Sequence, residues 1–498
     1  MARIAVIGAG FSGISAAAYL SAEGHEVHVF EKHDRAGGRA RSFQTKEGFL
    51  FDMGPSWYWM PDVFEKFFND FGYAVKDLYD LKKLDPAFDI VYGKEDILSI
   101  PDDYNALAEM FESIEPGSAK ALHAFMEEAR YKYETGMEEL VYMPGLSIAE
   151  FANTRLLKGV FRLQVFSSFS KHVRKYFKHP KLIALMEFPV LFLGAMPADT
   201  PALYSLMNYA GLKLGTWYPM GGFSKIIEGM QMIATSLGAT FHFNAGVEKI
   251  ISNANKATGV KVNGTVHTFD GIVAAADYHH VENVLLNSES RNYAESYWDK
   301  KVFAPSSLIF YIGLNKKLNR LKHHTLFFDE SLDDHAVEIY KNPQWPEKPL
   351  FYVCCPSKTD PQVAPEGCEN IFVLMPIAAG IHDEATIREQ YFDLLMKRLE
   401  SYVGESVKEH IIYKKSYCVN DFVQDYNAYK GNAYGLANTL WQTALWKPKI
   451  RNKHLKNVFY AGQLTVPGPG VPPSLISGNI AARQLDYHLK KFHHESIV

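Results

Sequence analysis

The chain lacks most of what would mark an extracellular, nucleic-acid-binding or membrane-spanning protein. Four cysteines, Cys354, Cys355, Cys368 and Cys418, are spread over 498 residues. They have neither the density of a disulfide scaffold nor the spacing of a zinc site, so a reducing, cytoplasmic setting is expected. Charge of neither sign prevails: 52 Lys and Arg against 56 Asp and Glu leave −4. That balance gives no global basic footprint for nucleic acid. No uninterrupted apolar run reaches the length of a spanning helix; even Leu182–Met196 contains Glu187 and Pro189. The first apolar run belongs to a β-strand and is not read as a signal peptide. The pair His323-His324 has no Glu or third histidine at ligand spacing, and no metal is expected.

What the chain has in plenty is aromatic residues, 14% of the total, with 33 Phe and 28 Tyr. Such a surplus points to large apolar cavities or surfaces. The length exceeds one simple core and predicts two intimately joined domains.

The first forty residues carry the strongest local pattern. Arg3-Ile4-Ala5-Val6-Ile7 reads as a buried parallel strand. Gly8-Ala9-Gly10-Phe11-Ser12-Gly13 follows, then a small-residue helix, then the strand Glu26–Phe30 ending at Glu31. This is the strand–turn–helix–strand of a dinucleotide site. Gly8 serves the tight turn, Gly10 the close approach of a pyrophosphate, and Gly13 the packing of helix on strand. Phe11 and Ser12 open the helix, whose free N–H groups and positive dipole end face the phosphates. Glu31, eighteen residues past Gly13, is positioned to accept hydrogen bonds from a ribose diol. Lys32 follows it, and then Arg35-Ala36-Gly37-Gly38-Arg39-Ala40-Arg41. Gly38 would let the backbone pass the pyrophosphate and Arg39 would neutralise it. This second turn favours FAD over a nicotinamide cofactor. From here the chain resembles the FAD-containing amine oxidase and carotenoid desaturase superfamily.

Three later stretches extend the resemblance. Phe49–Trp57 enters a corner at Gly54-Pro55-Ser56; the resemblance puts these three beside the flavin. Gly215–Phe223, with its aromatic-Pro-x-Gly-Gly turn, is similar to the bacterial phytoene desaturase group. In that family the backbone of the residue at Val247 holds the adenine edge. Near the C-terminus the strand Asn457–Ala461 reaches Gly462-Gln463. Pro467-Gly468-Pro469-Gly470-Val471-Pro472-Pro473 and a helix over Ser474–Leu489 follow. Carotenoid desaturases carry a similar segment, which implies that Gly470, Val471 and Pro472 lie against the isoalloxazine. Gln463 departs from the smaller or acidic residue that many members have.

The expected fold is α/β: a Rossmann-like FAD-binding domain, discontinuous in sequence, with an inserted α+β substrate domain. The FAD-binding parts are assigned to 1–72, 215–290 and 455–498, and the substrate parts to 73–214 and 291–454. The resemblance implies desaturation of an acyclic or partly acyclic carotenoid, by hydride transfer to the flavin. Phytoene, a later carotene and a hydroxylated carotenoid all remain open as substrates, as do oxygen and a quinone as electron acceptors. Asp52, Asp277 and His279 are the ionisable groups to inspect as a base. A carotenoid isomerase, another flavin oxidase and a non-catalytic prenyl-binding escort protein are the alternatives.

One segment is compositionally apart. Phe151–Met186 holds eight Lys and Arg, no acid, and interleaved Phe and Tyr. It predicts peripheral docking on an anionic membrane surface.

Overall fold

The computed structural model describes residues 1–147, 163–165, 167–439, 441–443 and 446–495. Two sheets organise it. The first has five parallel strands, in the order Val458–Tyr460, Gly271–Ala274, Arg3–Ile7, Glu26–Phe30, Thr240–His242. The N-terminal strand sits at its centre and is almost wholly buried, as a continuous β-branched run requires. Its strands come from three separate stretches of chain. Long-range pairing therefore builds the nucleotide fold around the first forty residues.

Helix Phe11–Ala22 lies against this sheet. The C-terminal helix Val471–Glu495 packs along it so closely that a Cβ at Gly478 would stand 2.2 Å from the Ser12 carbonyl oxygen. Ser15 Oγ donates to the Leu475 carbonyl at 2.8 Å across the same contact. The C-terminal helix starts at Val471, three residues before the predicted Ser474. Pro472 and Pro473 are accommodated because the first helical turn needs no N–H donor.

The second sheet has seven strands, in the order Ile411–Tyr417, Ser306–Leu314, Glu369–Ile377, Phe351–Cys354, His324–Phe327, Phe88–Gly93, Asp96–Ile100. All neighbours are antiparallel except His324–Phe327 with Phe88–Gly93. Every residue of Ser306–Leu314 is buried, so this strand is covered on both faces. No helix among the described residues is long and apolar enough to cross a membrane.

The basic segment is described only in part; 148–162 and Phe166 lie outside the described residues. The rest forms helices Phe169–Tyr176 and Pro180–Glu187. Phe169, Val173, Phe177, Leu182 and Leu185 are fully buried in the core. Those apolar residues are thus not a lipid-facing stripe; they anchor the helices. Arg174 pairs with buried Glu187 and Lys181 with Asp96. The one-sided charge read from the sequence is partly answered by acids from elsewhere in the chain. Lys171, Lys175 and Lys178 remain exposed.

Candidate functional site

A cavity of about 460 Å³ opens where the carboxyl ends of the parallel strands meet the second sheet. This is where α/β folds bind nucleotides. Its wall holds Ile7-Gly8, Phe30-Glu31, Ala275–Asp277 and Ala461-Gly462, each at or just beyond the end of a strand.

The geometry of the glycine turn fits a pyrophosphate. Gly10 caps the helix without a side-chain bond, so the first-turn N–H groups of Phe11 and Ser12 are left for a ligand. Among the described residues other than its chain neighbours, the nearest atom to a Cβ on Gly10 would be Gly38 Cα at 3.9 Å, so the space beside it is open. Gly13 differs: its Cβ would stand 1.9 Å from the Gly8 carbonyl oxygen. It does not line the cavity; it lets helix and strand touch. Glu31 is buried, and its carboxylate accepts from Ala9 N at 2.9 Å and from His33 N at 3.0 Å. It therefore braces the glycine turn as well as facing the cavity, since each oxygen keeps a further lone pair. Lys32 lines the wall, while its Nζ donates to the Gln424 carbonyl at 2.7 Å.

Arg39 and Asp277 face the same space. The Arg39 guanidinium lies over the Tyr426 ring, 4.8 Å from its centroid, and its buried Nε has no partner among the described residues. Gln463 helps to hold it: with the amide oriented to satisfy both ends, its oxygen accepts from Gly435 N at 3.2 Å and Arg39 Nη2 at 3.1 Å. Asp277 accepts from His280 N at 3.2 Å through one oxygen, and the Tyr429 N–H also lies close to the buried carboxylate. Burial raises the Asp277 pKa, and the charge of Arg39 opposes that rise. A guanidinium and a carboxylate, both at the cavity, suit the phosphate and hydroxyl groups of a dinucleotide. Gly38, Gly54, Pro55, Ser56, Val247, Gly470, Val471 and Pro472 complete the set gathered here.

Two candidate bases are not at this cavity. His279 bonds Glu295 at 3.0 Å and lies over the Tyr429 ring at 3.9 Å. Its neighbour His280 lines the cavity instead, with its pKa pushed down to about 4 mainly by burial. Asp52 turns the other way. Its two oxygens accept from Phe223 N at 3.0 Å and so tie the second strand of a hairpin to the start of helix Ser224–Ser236. Burial raises the Asp52 pKa to about 7. The folded state then holds a proton that the unfolded state has released, so this group's contribution to stability is lost as pH rises from about 4 through 7. Asp52→Asn is expected to flatten the fall in Tm between acidic and mildly alkaline buffer, measured by circular dichroism. An unchanged fall would remove Asp52 as its source.

The apolar half of the cavity was only partly legible. Trp57, Trp59 and Met60 line it, whereas Tyr58, on the opposite side of the extended chain, packs on Phe64 and bonds Tyr79 Oη at 2.9 Å. Leu332, Ala336, Ile339 and Tyr340 come from one face of helix Leu332–Tyr340. Their i, i+4, i+7, i+8 spacing is a signal that sequence reading could have used. His335 also lines the wall, but Pro376 O at 2.9 Å and Leu350 N at 3.0 Å occupy both ring nitrogens.

This geometry is that of a dinucleotide-binding fold with an apolar cavity beside its glycine turn. A family profile, flavin containing amine oxidoreductase, matches residues 11–486, and the chain belongs to that family. Its cofactor is FAD. Among curated proteins it is 39% identical to a carotenoid 3,4-desaturase of Haloarcula japonica over 97% of each chain. It is 32% identical to a 4,4'-diapophytoene desaturase of Staphylococcus aureus, over 97% of this chain and 98% of that one. Solved structures share the fold at low identity. An oxidoreductase from Methanosarcina mazei superposes with a TM-score of 0.61 at 16% identity, covering 96% of this chain and 99% of that one. A redesigned putrescine oxidase gives 0.63 at 13%, covering 98% and 99%.

Proposed function

We propose that this enzyme is a carotenoid desaturase acting on an acyclic or partly acyclic carotenoid. The observation that carries the reading is the division of the cavity. Its charged groups (Glu31, Lys32, Arg39, Asp277 and Asp425) belong to the nucleotide end, and its far wall is built mainly of Trp, Phe, Tyr, Leu, Ile and Met, with His335 among them. Among the lining residues of that wall no carboxylate faces a substrate ammonium. The two desaturase relatives support the same reading. Bound FAD supplies a hydride acceptor. The protein's part is to seat and orient: the glycine turns and Arg39 hold the dinucleotide, and Gly54–Ser56 and Gly470–Pro472 bracket the flavin. The apolar wall recognises a hydrocarbon by burial, about 25 cal/mol per Å². His335, with both nitrogens engaged, is not a base, so the wall contributes shape and water exclusion. Residues 1–72, 215–290 and 455–498 form the FAD-binding part in this reading, and 73–214 and 291–454 the substrate part.

The test is anaerobic mixing of the oxidised enzyme with candidate carotenes in liposomes. Flavin bleaching together with a red-shifted polyene is expected, because each new double bond extends conjugation. Bleaching by simple amines with carotenes inert would overturn the proposal. A change of polyene geometry without flavin reduction would mean an isomerase. Admitting oxygen or a quinone afterwards identifies the electron acceptor.

We infer further that the enzyme docks on anionic membrane surfaces without spanning them. Exposed Lys171, Lys175 and Lys178 and a lipid-borne substrate support this. Attraction to the surface is screened beyond a Debye length of about 8 Å at physiological salt, so liposome flotation should fall as salt rises. Changing these three lysines to Glu is expected to abolish flotation while FAD stays bound; undiminished flotation would exclude this docking site.

A further inference from the structure

The adjacent histidines that carry no ligand spacing in sequence acquire a third donor in the fold. Strand His324–Phe327 pairs antiparallel with Phe351–Cys354, and the register sets His324 directly opposite Cys354. His323 precedes the strand by one residue. One donor atom from each of His323, His324 and Cys354 lies within 4.8 Å of the others. All three residues are buried, at 5%, 0% and 2% exposure.

The hydrogen bonds around the rings leave donor atoms unused. His323 Nδ1 bonds Thr359 Oγ1 at 2.7 Å, and His324 Nδ1 bonds Tyr352 Oη at 2.5 Å. The Tyr352 hydroxyl donates to Ser56 Oγ at 3.1 Å. In the tautomer whose Nδ1 donates to Tyr352, His324 Nε2 carries a bare lone pair. Nε2 of both histidines is buried without a partner among the described residues. Two unpartnered, buried ring nitrogens leave room for a shared ligand, and His323 Nε2 offers a lone pair in the tautomer whose Nδ1 donates to Thr359. Trp57 stacks on His324 at 4.2 Å and 9°, which fixes that ring's plane. A void of about 20 Å³ lined by Cys354, Asp52, Ser56 and Tyr218 adjoins the cluster. It has room for about one water.

We propose that His323, His324 and Cys354 bind one Zn²⁺ ion, through Nε2 of each histidine and the Cys354 thiolate, with a water in the adjoining void as fourth ligand. Two nitrogens, one sulfur and one water make a four-coordinate set that suits this ion. Tyr352 and Thr359 orient the rings from behind, the usual role of partners to the second ring nitrogen. Binding releases the thiol proton to solvent, so the site gains one positive charge net of the thiolate. The ion clamps two strands of the second sheet. Through Tyr352–Ser56 and the Trp57 stack it holds the cavity wall where Ser56 and Trp57 lie. It takes no part in hydride transfer.

The experiment is elemental analysis of the flavin-loaded enzyme, produced with Zn²⁺ in the medium and dialysed free of loose metal. About one Zn²⁺ per chain is expected, falling at least about tenfold in Cys354→Ala with FAD content retained, since loss of a thiolate removes the strongest ligand. X-ray absorption should show nitrogen and sulfur neighbours in the first shell. Equal zinc in the parent and Cys354→Ala would overturn the proposal, as would a parent enzyme that stays zinc-free. Should Cys354→Ala fail to fold, the parent itself decides. Zn²⁺ added to chelator-treated enzyme must raise its Tm, and an unchanged Tm with no zinc retained overturns the site.

Discussion

Gly10→Val is expected to give a folded but colourless protein. The backbone at Gly10 has no positive φ to satisfy, and among the described residues other than its chain neighbours the nearest atom to a Cβ there would be 3.9 Å away. The branched side chain would instead fill the space that the pyrophosphate needs. Flavin absorbance per chain should drop by at least about tenfold, ~1.4 kcal/mol, because the side chain blocks the close approach of backbone to pyrophosphate, while the circular dichroism spectrum is kept. Normal flavin content would contradict the assignment of this turn. Gly13→Val is the control with the opposite signature. Its Cβ would lie 1.9 Å from a backbone oxygen, so helix and strand must separate and the protein should not fold. Glu31→Ala sits between the two. It strips the partners from Ala9 N and His33 N and weakens the hold on the ribose, a loss of about 1.5–3 kcal/mol for hydrogen bonds to a charged group.

Ala336→Trp is expected to abolish turnover of long polyenes while leaving the flavin intact. Ala336 is buried on the helix face that lines the apolar half of the cavity, away from the glycine turns. An indole there occupies the path of the hydrocarbon. Overpacking of about 2–3 kcal/mol directed against bound substrate corresponds to a loss of roughly 30- to 150-fold in kcat/KM. The measurement is the rate of flavin bleaching by a carotene, compared with reduction by dithionite, which needs no access to that half. An unimpaired carotene rate would mean that the chain enters along another wall. Equal loss in both reactions would instead mean that the substitution has disturbed the flavin seat.

The two halves of this cavity differ in how far sequence alone reveals them. The nucleotide end rests on contiguous patterns: a strand, a glycine turn, a helix start, and an acid one strand later. Each step is local, and each is forced by backbone sterics or by the open hydrogen bonds of a helix terminus. The residues from Gly8 to Glu31 are close in the chain and also share one wall. The C-terminal corner is legible for the same reason, although the helix begins at Val471 because prolines suit its first turn.

What the tertiary structure decides lies between distant segments. Asp52 and His279 look as capable of proton transfer as Asp277 does, yet one ties down the start of a helix and the other pairs with Glu295. Only packing decides which way a carboxylate or an imidazole faces. Arg174 and Lys181 read as members of a purely basic run because their acids, Glu187 and Asp96, stand outside it. His323 and His324 have no third donor within reach of any spacing rule, and strand register brings Cys354 to them from thirty residues away. Sequence determined the glycine-turn wall of the cavity because turn and helix geometry are set within a few residues. The fold alone determined the apolar wall, the unused bases and the buried donor cluster, because strand pairing and side-chain direction depend on contacts that no local pattern encodes.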